Sequence, residues 1–295
     1  FPHRDGWFWR FGSRPGVTRD GIPYFVGGIT DVQGGSTQVR GLFYGIDGAP
    51  IVIGGMAIGG LPDPVSTNTS AVGFDYRFSA YGTHYIAEVQ TDTGDFSTDN
   101  HIVIDQAVVL AGGMPMSESG MVPEEIGGLP GESWDIFNYP GATENGDWMV
   151  TGDTDAATDQ DEFLVVNGQI LLREGDLVDG MMLDGTIERA FLGEDGDWAA
   201  VWGVDIDGST VDVLLLNGEI VLMEGMPVDL DGDFVPEDDT MVTDLTGSAA
   251  LVVSDRDAQN RARVYFTADV EFPGAGRQPV EAPVLADEEL GLDVI

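Results

Sequence analysis

The segment DLDGDFVPEDD, residues 229–239, is the densest set of ion-binding groups in the chain. Asp229, Asp231 and Asp233 alternate, so their carboxylates can converge on one hard cation. The carbonyl of Val235 and the carboxylate of Glu237 or Asp238 can complete an oxygen shell. Calcium takes about six to eight oxygens and tolerates flexible loops, so calcium is the expected ion. The spacing is not that of an EF-hand. Gly232 stands at the fourth position, Phe234 at the sixth, and Thr240 where the closing Glu would be. The plain alternative is a solvated acidic loop.

A second constellation is periodic. Asp31, Asp92, Asp155, Asp205 and Asp255 recur at one place in a repeated unit, with Asp95, Asp153, Asp159, Asp161, Asp207 and Asp257 close by. Equivalent positions can gather carboxylates on one face. Aspartate is also a common loop residue, because its side chain bonds nearby backbone N–H groups. Trp7, Phe8, Trp9 and Phe11 cluster around Arg10, and Trp7, Trp9 and Arg10 are the candidate interface if this strand is exposed. If it is the first strand of the first unit, it is core instead. His84, beside Tyr85, reads as structural. No paired-histidine zinc spacing, nucleophile elbow, P-loop or cysteine nucleophile is present. Carboxylates are so numerous that any pair could be proposed for glycoside hydrolysis, which makes that signal uninformative.

These groups are set on a repeat. Residues 145–176 and 195–226 align without a gap at a spacing of 50. Two anchors extend the pattern. An aromatic lies seven residues before an Asp (Tyr24/Asp31, Tyr85/Asp92, Trp148/Asp155, Trp198/Asp205), and Ser248/Asp255 keeps only the acid. Asp or Asn lies eight residues before Gly (Asp47/Gly55, Asp105/Gly113, Asn167/Gly175, Asn217/Gly225). Each unit holds short β-branched and aromatic runs separated by Asn-Gly or Asp-Gly turns. That predicts an all-β chain, a β-propeller of about five four-stranded meander blades. The units are 7–61, 70–130, 133–183, 186–239 and 241–273, in a single repeat domain over 1–273 with an acidic tail over 274–295. An open β-solenoid and a tandem β-sandwich are the alternatives. The tail segment LADEELGLDVI is the best helix candidate, and the chain from Glu271 onward could supply the fifth unit's missing strand.

Composition narrows the function. There are 52 acidic and 12 basic residues, a net charge of −40, and every basic residue is arginine. Residues 1–80 carry six acids and six arginines, so residues 81–295 hold the whole excess. Nucleic acid and anionic lipid are therefore excluded as expected partners. No apolar run reaches the ~18 residues of a membrane span. Cysteine is absent, so disulfides and thiolate metal sites are excluded. The start, Phe-Pro-His, fits a mature form with its signal peptide removed, or part of a longer protein.

The phrases LVVNGQILLREGDLV and LLNGEIVLMEGMPV resemble the propeller-like repeat proteins secreted by planctomycetes and related bacteria, well over 140–270 and loosely over 7–130. Likewise, DLDGD is similar to the calcium loops of extracellular modules. The resemblance implies an extracellular or cell-surface location and often a C-terminal sorting anchor, which is not expected here because LADEELGLDVI offers no apolar tail. The expected function is a non-enzymatic, calcium-stabilised scaffold. It would bind a surface glycan or protein, or assemble with its own copies into an oligomer or filament. The alternative is a carbohydrate-active enzyme using acids on the propeller face.

Overall fold

A computed structural model describes residues 3–67, 72–93, 98–228, 237–245, 250–271, 280–287 and 291–294. Among them the chain is β throughout, apart from a 3-10 turn at Glu124–Ile126. The first sheet is a meander of β1 (Phe8–Val17), β2 (Pro23–Thr30), β3 (Val39–Tyr44) and β4 (Ala49–Ile53). The second repeats it with β5 (Val72–Phe78), β6 (Tyr85–Gln90), β7 (Asn100–Ile104) and β8 (Ala107–Val108), followed by a small hairpin of β9 (Leu110–Ala111) and β10 (Met114–Pro115). The third holds β11 (Trp134–Ala142), β12 (Trp148–Thr154), β13 (Glu162–Val166) and β14 (Gln169–Arg173). In the fourth, a short β15 (Leu177–Val178) precedes β16 (Met181–Leu192), β17 (Trp198–Ile206), β18 (Ser209–Leu216) and β19 (Glu219–Met223).

The fifth sheet departs from this order. Its strands are β20 (Pro227–Val228), β21 (Glu237–Asp244), β22 (Leu251–Val253), β23 (Arg263–Glu271), β24 (Val280–Asp287) and β25 (Gly291–Val294). Both β21 and β22 pair with β23, so two expected neighbouring strands share one edge. Residues 280–287 and 291–294 of the expected tail are strands rather than a helix. The apolar side chains of β24 alternate, burying Val284 and Ala286.

The chain divides into two compact units, 1–156 with 165–170, and 157–164 with 171–295. In the first unit, Val26, Leu42 and Val52 of the first sheet pack on Phe78, Tyr85 and Val103 of the second. In the second unit, Val201, Leu214 and Leu222 of the fourth sheet pack on Val242, Val264 and Phe266 of the fifth. Successive residues Val213, Leu214 and Leu215 are all fully buried, so β18 is covered on both faces. That is why its sequence runs apolar without alternation.

The two sequence anchors are the two ends of one clamp. The Asn167 side-chain Oδ1 accepts the Trp148 N–H at 2.9 Å, and Asn217 Oδ1 accepts the Trp198 N–H at 3.0 Å. In return the Asn N–H groups donate to the Trp carbonyls, each at 2.9 Å. Asn Nδ2 then reaches the aspartate before each tryptophan, Asp147 at 2.9 Å and Asp197 at 2.8 Å. The turn needs a left-handed residue, and Asn167 and Asn217 sit at φ 50 and 52. The second sheet exchanges the parts. Asp105 replaces Asn, Tyr85 replaces Trp, and His84 replaces Asp, with His84 Nδ1 2.5 Å from Asp105 Oδ2.

The same bonds locate three anchors differently from the sequence spacing. In the first sheet the Gly45 N–H donates to the Pro23 carbonyl, so Pro23 and Gly45 stand where Tyr85 and Asp105 do. Tyr24 falls one residue later on β2, and Asp47 two residues later, inside a β3–β4 turn of four residues. In the second sheet, the β9–β10 hairpin is inserted ahead of the corner. Gly113 belongs to that hairpin, and Ser119, at φ 58, takes the corner position of Gly55, Gly175 and Gly225. Ser248 lies outside the described residues.

Candidate functional site

The N-terminal face is built on β1, the end strand of its sheet. Trp7 precedes it and lies under the Arg4 guanidinium, 3.8 Å from the ring centre. Trp9 packs on Phe25 and Phe43 at 5.4 and 4.7 Å, yet remains 38% exposed. Its indole fits over Gly48, where a Cβ would stand 2.6 Å from the ring. Phe8 is 36% exposed. Trp9, Arg10, Phe11, Gly12 and Phe25 line a shallow groove of about 290 Å³. Arg40 reaches over the Phe11 ring at 5.4 Å. The strand is thus a sheet member whose aromatic side chains still meet solvent.

The acids gather at a corner that recurs between consecutive sheets. Glu118 N–H donates to the Asn100 carbonyl, Glu174 to Glu162 and Glu224 to Asp212, at 2.9, 3.0 and 3.0 Å. The matching bond in the first sheet is Gly54 to Arg40. Each glutamate accepts backbone N–H groups: Glu174 Oε1 from Gly185 at 2.7 Å, Glu224 Oε1 from Leu245 at 3.2 Å, and Glu118 Oε2 from Asp99 and Asn100 at 3.2 Å. Further carboxylates crowd in. Oxygens of Asp212, Glu224 and Asp244 lie within 4.8 Å of one another. Burial, reinforced by Glu224, Glu188 and Asp244, pushes Asp212 up to about 6. Burial, then Asp161 and Asp184, lifts Glu174 to about 7. On β6, burial with Asp75, Glu118 and Asp99 lifts Glu88 to about 7. Proximity of like charges makes each ionised form costly. These acids escape a motif search because three strands contribute them. The shared Glu-Gly of REGD and MEGM was the available signal.

Of the sequence-derived calcium ligands, Asp229, Asp231, Asp233 and Val235 lie outside the described residues. Glu237 opens β21, and its side chain is likewise outside them. The periodic loop acids bond backbone: Asp155 Oδ1 accepts the N–H of Ser133, just ahead of β11, and Asp205 Oδ1 the Gly208 N–H of its own turn, both at 2.7 Å. Asp31, Asp92 and Asp255 are exposed, and Asp95 lies outside the described residues.

One arrangement has the outline of a nucleophile and base. Ser117 Oγ is 2.7 Å from His101 Nδ1, whose Nε2 is 2.9 Å from Thr91 Oγ1. Burial drives His101 down to about 4, leaving it a weak base at neutral pH. A threonine in the third place cannot stabilise an imidazolium as a carboxylate does. The trio is a structural cross-link.

No known protein family and no curated protein matches the chain. A search of solved structures finds likeness to prolyl oligopeptidase B from Galerina marginata, determined as the apo protein. The TM-score is 0.39 and the identity 13%, over 95% of this chain and 42% of that one. This chain therefore spans less than half the length of that enzyme. At this level the likeness assigns neither fold nor activity. No helix among the described residues is long and apolar enough to cross a membrane.

Proposed function

We propose that this protein is an extracellular or cell-surface, non-enzymatic scaffold of propeller type that joins to further copies of itself through β1. Four successive sheets in meander order, sharing hydrogen-bonded corners, support the blade reading. The secreted-repeat resemblance supports the location.

One observation carries the contact: an end strand with exposed aromatics and Arg10 lies in residues 1–80, which are electrically neutral as a whole. A copy bearing −40 repels its neighbours, and a neutral face is where approach costs least. Aromatic residues and arginine are enriched in interface cores. A neutral end meeting an acidic surface is a heterologous contact, which propagates into a ring or filament. Binding of calcium by 229–237 completes the proposal as a stabilising element. No observation on the described residues favours the carbohydrate-active alternative.

Light scattering across protein concentration tests the assembly. The chain is 31.4 kDa, and the expected result is a mass that rises with concentration at high salt. Arg10→Glu and Trp9→Ala should return it to a monomer. A strict monomer at every concentration, or an Arg10→Glu variant that assembles like the parent, would refute the contact.

A further inference from the structure

The clamp of the second sheet differs from those of the third and fourth at four places. His84 stands for Asp, Tyr85 for Trp, Asp105 for Asn and Gln106 for Gly. Three of the four line one pocket, and the fourth holds Asp105. Tyr44, Phe78, Thr83, Tyr85, Asp105 and Gln106 are among the residues around this hollow of about 300 Å³, where the first sheet packs on the second. Asp105 and Gln106 sit at φ 47 and 66, in the turn that the other two sheets build from Asn-Gly. Glycine takes that conformation freely, whereas glutamine is strained in it. Strain of this kind collects where a side chain is needed. The Tyr85 hydroxyl, which tryptophan cannot supply, accepts the Gln106 N–H at 2.8 Å and secures the turn.

The walls are chemically mixed. Phe78 lies 5.1 Å from Tyr44 and 5.7 Å from Tyr85, so three rings adjoin. The Asp105 carboxylate is held by the Tyr85 N–H at 3.1 Å and by His84 Nδ1 at 2.5 Å, yet remains 41% exposed. Gln106 is exposed, and among the described residues its side chain makes one long hydrogen bond, from Nε2 to the Ile51 carbonyl at 3.5 Å. Its amide thus presents a donor and an acceptor side by side. A cation would need acceptors alone, and an apolar ligand neither. A sugar ring uses the whole set: aromatic surface for its C–H face, and donors and acceptors for its hydroxyls.

We infer that this pocket binds one ring of a neutral saccharide. Its volume stands at the small end of ligand sites, roughly 300–1,000 Å³, so a single ring is the unit recognised. Asp105 is the one carboxylate among the lining residues, and glycoside hydrolysis needs a pair, so the pocket binds without cleaving. It shares no lining residue with the groove on β1 and does not depend on the assembly proposed there.

Saturation-transfer NMR on the full-length protein tests this. The probes are the methyl glycosides of glucose, galactose, mannose and N-acetylglucosamine, with choline as the cationic control. The expected result is transfer to the ring C–H protons of at least one glycoside, with a Kd on the order of 1 mM, as a ligand of so few atoms implies. Gln106→Gly keeps the bond to Tyr85 and suits the left-handed turn. It should therefore melt at or above wild type while binding about fivefold or more weakly. Tyr44→Ala should weaken binding as well, by removing one ring. Arg10→Glu should bind as wild type does, so a failed assembly leaves this inference standing. No transfer to any of the four glycosides from folded wild type would overturn it. So would a stronger response to choline than to the sugars, undiminished binding in Gln106→Gly, or loss of binding in Arg10→Glu.

Discussion

The clamp around Trp148 allows a quantitative test by exchange of parts. In Asn167→Ala the Trp148 N–H loses its acceptor and Asp147 loses the Nδ2 donor, each at 2.9 Å. Net loss of these two exposed hydrogen bonds costs about 1–2 kcal/mol in all. The residue also sits at φ 50, where alanine adds about 1 kcal/mol. The expected total is about 2–3 kcal/mol, and Asn167→Gly should recover the backbone part, about 1 kcal/mol. In Asn167→Asp the acceptor survives but a carboxylate faces Asp147, at a cost of about 1–2 kcal/mol once solvent screening is allowed for. Adding Asp147→His reproduces the His84–Asp105 pairing of the second sheet. The double variant should return to within about 0.5 kcal/mol of wild type, a favourable coupling of about 1 kcal/mol or more. Urea denaturation followed by tryptophan fluorescence and circular dichroism measures each step, with coincident transitions as the check on two-state analysis. Strict additivity of Asp147→His and Asn167→Asp would refute the exchange. So would an Asn167→Ala variant within about 0.5 kcal/mol of wild type.

Other sites make simpler predictions. Glu88 is held near 7 when folded against 4.5 ordinarily. The folded state therefore keeps a proton that the unfolded chain sheds, and this stabilisation fades as pH rises through about 7. Glu88→Gln should exceed wild type in stability by on the order of 1–2 kcal/mol at pH 8 and match it near pH 4, as thermal melts across pH will show. Trp202 is fully buried, so Trp202→Phe strands the Gly185 carbonyl and leaves a gap, lowering stability by about 2–4 kcal/mol in urea titration. A Cβ on Gly152 would sit 1.9 Å from the Ile136 carbonyl at the β11 bulge. Gly152→Ala should therefore cost about 3 kcal/mol or more, measured as a fall in melting temperature.

Strand content was legible because Asn-Gly turns and apolar runs are local signals. The anchors were legible as spacing, and their bonding partners explain why. Trp148 and Trp198 keep their distance from Asn167 and Asn217 because one side chain bonds the other's backbone. Spacing failed where length changed. The four-residue turn after Tyr44 displaced Asp47, and the β9–β10 hairpin put Gly113 where a corner glycine was expected. The fifth sheet was less legible, since only pairing shows that β21 and β22 share an edge. The acid corners were not legible at all. Burial and facing oxygens single out Glu88, Glu174 and Asp212, whereas sequence shows only one more carboxylate among 52 acidic residues.

The clamps also bear on how the chain folds. Each joins residues only 19 or 20 apart, Tyr85 to Asp105, Trp148 to Asn167 and Trp198 to Asn217. A loop that short closes on a timescale of roughly a microsecond or less, far ahead of chain elongation at about 5–20 residues per second. A nascent sheet can therefore fix its strand register as it emerges, before the neighbour that will cover its face has been made. One-residue slips, which would turn every apolar side chain outward, are selected against locally and early. Ribosome-stalled chains long enough to bring each turn Asn or Asp clear of the exit tunnel should then gain protection against proteolysis in steps of one sheet.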